Sequence, residues 1–133
     1  CIRKHLSPTG LCILNVFRPF REPEELQKLW STTEENLDWE VPVEGGRLAC
    51  YARRASMDAE KLILYPELIY RQYAGETLVA ESLLKIVMRC YYPEAFERLI
   101  VEHGYTVLNR WGGYAGEVYG QGPELVIQFN EGS

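Results

Sequence analysis

Tyr92-Pro93-Glu94-Ala95-Phe96-Glu97-Arg98-Leu99-Ile100-Val101-Glu102-His103-Gly104-Tyr105 is the stretch on which the fold turns. Proline suits the first helical position, where its missing N–H costs nothing, and Glu94 and Glu97 suit the positive end of the helix dipole. Phe96, Leu99 and Ile100 recur at helical spacing and form one apolar stripe. Gly104 is the expected stop, because glycine takes the left-handed conformation that closes helices. His103 falls in the last turn, where the dipole favours a cation, so capping is its expected role rather than metal binding. Downstream, Tyr105 to Trp111 and Glu124 to Phe129 read as strands. They are joined by a glycine-rich link, expected to be flexible, with Trp111, Tyr114 and Tyr119 exposed. That link leads into a strand and not a helix, so it cannot seat a phosphate on a helix N-terminus.

Upstream, Ser7-Pro8-Thr9-Gly10 is a turn and Leu11 to Phe17 is apolar on both faces, the pattern of a strand inside a sheet. Asn15 and Arg18 are polar groups at its carboxyl end, and Pro19 ends it. Glu22 to Trp30 is a short helix with Leu26, Leu29 and Trp30 at helical spacing. From Trp39 to Cys90 the period changes to two, giving strands near 39–43, 47–56, 61–73 and 76–89 in a long antiparallel meander. A two-residue turn at Ala74-Gly75 sets Tyr73 opposite Glu76 and Ile63 opposite Ile86. One face then carries Ile63, Tyr65, Ile69, Ala80, Leu84 and Ile86, and Pro66 marks a bulge or an edge.

The chain has 133 residues, 47% of them hydrophobic and 25% charged, enough for one domain to bury a core without disulfide or metal. A net charge of −5 and scattered basic residues exclude a nucleic-acid backbone binder. The adjacent Arg53-Arg54 pair points to opposite faces of its strand, a solvated arrangement and not a phosphate patch. No apolar run approaches the roughly 18 residues of a membrane span, so no membrane partner is expected. Cys1, Cys12, Cys50 and Cys90 lie far apart with no C-x-x-C pair, so zinc and redox motifs are absent. The last three sit in apolar runs and read as buried thiols of a reducing, cytoplasmic setting. His5 and His103 lack a third ligand, so no metal site is expected. No nucleophile elbow or other catalytic constellation emerges, and the catalytic residues are unknown at this level.

The order of elements carries more. Pro8-Thr9-Gly10, the buried strand, an insertion, the helix at Tyr92 and a long closing hairpin resemble the C-terminal half of class I S-adenosylmethionine-dependent methyltransferases. In that family a Pro-Gly-Gly loop precedes the fifth strand, and Thr9 departs from it. The family's helix signature is matched by Tyr92, Phe96, Leu99, Ile100, Gly104 and Tyr105, with Ala95 replacing the common glutamate and His103 the common alanine. Trp111-Gly112-Gly113-Tyr114 and Pro123-Glu124-Leu125-Val126-Ile127 match the sixth strand, its loop and the seventh strand, which in the family lies between the fifth and the sixth. The insertion resembles the lid of small-molecule methyltransferases, including the sugar and glycine types.

The resemblance implies an α+β chain that is the C-terminal part of an α/β Rossmann-like enzyme with an inserted antiparallel meander. Its expected parts are residues 1–37 ending the core, 38–90 forming the lid or dimerisation insertion, and 91–133 completing the core. Function would be acceptor binding in a methyltransferase acting on a small molecule, with S-adenosylmethionine bound by the parent and none bound by this chain. The glycine-rich loop and acidic residue that hold the cofactor precede the fifth strand, so no cofactor-binding residue carries over. Cys1 reads as a cut in the helix before that strand, and the isolated chain as inactive. Ligands of open α/β sheets lie at the carboxyl ends of strands, which selects Asn15 and Arg18 for the acceptor. Tyr70 and Arg71 of the lid, and Trp111 and Tyr114 of the hairpin, complete the expected site. Methyl transfer needs orientation and, for weak nucleophiles, a general base, for which Glu67 and Glu117 are the candidates. Without the fourth strand, Leu11 to Phe17 becomes an apolar edge, so a homodimer or swapped assembly is expected. The alternative is a self-contained small-ligand, protein-binding or dimerisation module without catalysis.

Overall fold

The computed structural model describes residues 1–132. After a 3-10 turn at Ile2–Lys4 come β1 (Cys12–Phe17), α1 (Pro23–Leu29), β2 (Glu35–Val43), β3 (Gly46–Asp58), β4 (Ile63–Ala74) and β5 (Thr77–Lys85). Then follow β6 (Met88–Arg89), α2 (Pro93–Glu102), β7 (Thr106–Trp111) and β8 (Glu124–Asn130). The strands form a three-stranded antiparallel sheet, β1-β8-β7, and a five-stranded antiparallel sheet, β2-β3-β4-β5, with β6 beside β4. The chain divides into two compact units, one of residues Cys1–Phe20 with those from Cys90 onward, the other Arg21–Arg89. The short helix lies in the same unit as the meander, where α1 packs on β3.

In the first unit β8 is hydrogen-bonded on both sides and is the most buried strand. Leu125, Ile127 and Phe129 alternate onto the face covered by Phe96 and Ile100 of α2, with Cys12, Val16 and Val107 completing the cluster. Tyr105 meets Phe129 edge-on at 4.9 Å. The helix behaves as its sequence dictates. Pro93 occupies its first turn, and Gly104 takes φ +85° beyond its end. His103 Nδ1 lies 2.8 Å from the Leu99 carbonyl, which can only accept, so Nδ1 carries the proton. Arg3 donates to the His103 carbonyl at 2.9 Å and stacks over Tyr105.

The glycine-rich link is not free. Gly112 donates to the Glu117 carbonyl at 2.6 Å, and Glu124 donates back to the Gly112 carbonyl at 2.9 Å. A side chain at Gly112 would collide with the Val118 carbonyl, which explains glycine there. Tyr119 donates to the Pro93 carbonyl at 2.6 Å, and burial pushes its hydroxyl up to about 12. Only Tyr114 of the link's aromatics stands fully out, at 74% exposure.

The second unit corrects the expected register. Gly75 and Glu76 form the turn, closed by Ala74 opposite Thr77, because Gly75 supplies φ +60° as the first turn residue. Tyr73 follows opposite Leu78, and a bulge at Val79 then sets Ile69 opposite Leu83 and Leu68 opposite Leu84. Ile63 faces Arg89 and not Ile86, and Ala80 and Leu84 lie on the face away from Ile63 and Ile69. The expected strand at 76–89 is two strands. β2 begins at Glu35, four residues earlier than its apolar pattern shows, since Glu35 is held by arginines of its neighbours. Pro66 lies opposite Arg54, where β3 shifts register, and β5 ends just short of its level. A residue with no N–H thus sits where the ladder is broken.

β1 has β8 on one side and no strand on the other among the described residues. Its Ile13 is 55% exposed and its Phe17 51% exposed, so among the described residues this apolar strand lies at an edge, as expected where no fourth strand lies beside it. Replacing Phe129 by alanine is expected to lower unfolding free energy in urea by about 3–5 kcal/mol, while Val118→Ala on the surface changes it by less than about 0.5 kcal/mol.

Candidate functional site

The expected site residues fall in both units. In the first, Asn15, Val126 and Trp111 pair across β1, β8 and β7 in one row, so Asn15 and Trp111 flank Val126 on the sheet face opposite α2. Their juxtaposition follows from strand order and was not visible from sequence spacing. Arg18 lies just beyond β1, where its Nε donates to the Gly122 carbonyl at 2.8 Å and its guanidinium stacks on Phe20. That contact ties β1's end to the β7–β8 link. Tyr114 is at the link's tip. Glu117 accepts from the Ala115 N–H at 3.1 Å and its carboxyl fills the space beside Gly113, so its local work is shaping the link.

In the second unit Tyr70 and Arg71 point to opposite faces of β4, as adjacent strand residues must. Arg71 is engaged on both sides. It holds Glu35 of β2 through two contacts, the shorter 2.7 Å, and Glu81 of β5 at 2.8 Å, and its guanidinium lies 4.8 Å over the Tyr51 ring. Arg53 holds Glu67 at 2.6 Å and approaches Glu35 at 3.8 Å. Glu67 therefore serves as a partner of Arg53. The Arg71 hydrogen bond holds the Glu35 carboxyl below its ordinary range, and the two carboxylates hold Arg71 firmly charged.

The other face of this sheet carries the row Trp39, Cys50, Tyr70, with Trp39 and Tyr70 rings 6.1 Å apart above the fully buried Cys50. Burial, with Asp38 adding to it, pushes the Cys50 thiol up, so this sulfur is a packing group. Beside the row opens a cavity of about 430 Å³ lined by Ala52, Trp30, Thr32, Glu34, Asn36, Pro66 and both Arg53 and Arg54. Trp30 is placed there by the closure of α1. Its N–H donates to the Leu26 carbonyl at 2.9 Å, and the Ser31 and Thr32 hydroxyls donate to Gln27 and Leu29 carbonyls. The Arg54 guanidinium sits 6.0 Å from the Trp30 ring. Sequence reasoning separated Arg53 from Arg54 by face but missed the cavity, because only α1's docking on β3 brings Trp30 to it. Among the described residues no cluster of His, Cys, Asp or Glu can hold a metal. All four cysteines are free thiols.

The fold these units make is in part methyltransferase-like. The S-adenosylmethionine-dependent methyltransferase of Clostridium acetobutylicum ATCC 824 aligns with a TM-score of 0.64 over 98% of this chain and 48% of its own, at 12% identity. The methyltransferase CcbJ of Streptomyces caelestis aligns with a TM-score of 0.62 over 96% of this chain and 49% of its own, at 16% identity. The chain thus spans about half the length of each. No family model and no curated protein matches the sequence.

Because the folded Glu35 pKa is depressed, its share of stability is present above the unfolded glutamate value of about 4.3 and is lost as pH falls through the lower folded value. Glu35→Gln is expected to flatten the acid limb of the stability profile in that window, as read by urea midpoints from pH 6 to pH 3.

Proposed function

We propose that this chain is the acceptor-binding, C-terminal portion of a class I S-adenosylmethionine-dependent methyltransferase acting on a small molecule. One observation carries the reading. β8, last in sequence, lies between β1 and β7 with both neighbours antiparallel. That is the place of the seventh strand between the fifth and sixth in this family. The shared fold over half of two methyltransferases supports it. In the parent, S-adenosylmethionine is held by the half that precedes β1, and no residue of this chain is assigned to it.

The chain's own contribution is positional. Asn15 at β1 and Trp111 at β7 present a polar group and a ring on one face of the core sheet. Arg18 fixes the link that carries Tyr114. On the insertion, Tyr70 stands with Trp39 on the face of the cavity, while Arg71 braces the opposite face. In-line transfer of a methyl group draws its rate from such orientation. No helix is long and apolar enough to cross a membrane among the described residues, and a cytoplasmic setting accords with four free thiols.

The open edge of β1, apolar on both faces, favours a homodimer or swapped assembly of the isolated chain. Light scattering at micromolar concentration is expected to give twice the chain mass, and Ile13→Lys to restore the monomer. A monomeric parent-free chain overturns that assembly. For the function, protein extended upstream of Cys1 is expected to transfer labelled methyl from S-adenosylmethionine and to lose at least tenfold in kcat/KM with Trp111→Ala. The isolated chain is expected to show no heat of binding with S-adenosylmethionine. Tight binding by the isolated chain would contradict the assignment of the cofactor to the preceding half.

A further inference from the structure

We infer that the cavity between the end of α1 and the β2–β3–β4 face binds a small organic monocarboxylate with a flat apolar body, seated on Arg54 and Trp30. The inference rests on the acceptor-binding reading and names the substrate class for its insertion.

The first argument is charge pairing. Arg47, Arg53 and Arg71 of the same sheet all hold carboxylates, at 2.6 to 3.8 Å. Arg54 holds none among the described residues; its guanidinium lies 6.0 Å from the centre of the Trp30 ring. A guanidinium is a planar fork of N–H donors that fits a carboxylate through two parallel bonds, and stacking on a ring orients that fork without using any donor. Arg53 and Arg54 both line the cavity, but Arg53 is committed to Glu67 at 2.6 Å, which leaves Arg54 as the lining arginine with its donors open.

The second argument is shape. Ala52 leaves the floor low, and Pro66 and the Trp30 ring are rigid apolar walls. The Pro66 ring cannot change rotamer freely and the hydrogen bonds that close α1 fix the Trp30 backbone, so both walls are held in place by the fold. A volume of about 430 Å³ accommodates a small ring-bearing molecule. The third argument is the limit on charge. Of the lining charges, Arg53 is neutralised by Glu67 and Glu34 adds a negative charge beside Arg54, so one negative charge is accepted at Arg54 and a dianion is repelled.

The test uses the full 133-residue chain and no methyl donor. Titration with benzoate, followed by NMR at the Trp30 indole N–H and the Arg54 Nε–H, is expected to give saturable shifts with a millimolar Kd. Benzamide, which keeps the ring and removes the charge, is expected to bind at least tenfold more weakly, and phenyl phosphate more weakly than benzoate. Arg54→Gln is expected to weaken benzoate at least tenfold, whereas Arg98→Gln on α2 leaves it unchanged. Glu34→Gln is expected to recover phenyl phosphate binding. Equal binding of benzamide, retained affinity in Arg54→Gln, or no shift with benzoate each overturns the carboxylate site. Those results leave the methyltransferase reading standing, since that is judged by methyl transfer in the extended protein. Conversely, benzoate binding together with no transfer by the extended protein retains the site and removes the enzyme.

Discussion

The burial of one strand governs the first unit. Among the described residues β8 is the one strand of its sheet with partners on both sides, and its Leu125, Ile127 and Phe129 meet Phe96 and Ile100 of α2. Every other feature there is arranged about that contact. β1 and β7 are positioned by its two edges, the 112–123 link is anchored to the start of α2 by Tyr119, and Arg3 secures the end of α2. Asn15 and Trp111 come together only because Val126 separates them by one strand on each side. The geometry of the candidate core site is therefore a by-product of the packing of its opposite face.

Local signals were legible in the sequence and long-range ones less so. The α2 helix was readable to within a residue because proline, acidic first-turn residues, an apolar stripe and glycine all agree. The closing hairpin and the strands of the meander were readable from periodicity. Register was not, because Gly75 could occupy either turn position and a single bulge at Val79 displaces every later pair. The start of β2 was hidden because Glu35-Asn36 looks like loop, and only the arginines of β3 and β4 explain its order.

The candidate site shows the same division. Tyr70 and Arg71 were chosen as neighbours, yet a strand's alternation sends one to the aromatic row and the other to the ionic face. Arg53 and Arg54 alternate along β3 by that rule, yet both side chains reach the same cavity, Arg53 while bound to Glu67. What the rule cannot supply is the third body, the end of α1, which turns an exposed arginine into the wall of a cavity. Sites built where a helix terminus meets a sheet depend on docking, and docking leaves no periodic trace.

Arg71 has a mechanical consequence. Outer strands of a sheet ordinarily fray independently, since each is held by a single ladder. Here one guanidinium in β4 grips Glu35 of β2, reaching across β3, and Glu81 of β5. Loosening of either margin relaxes the clamp on the other, so the two edges share a common opening event. The sheet is thus tied across its width at one guanidinium, on the face opposite the aromatic row of Trp39 and Tyr70.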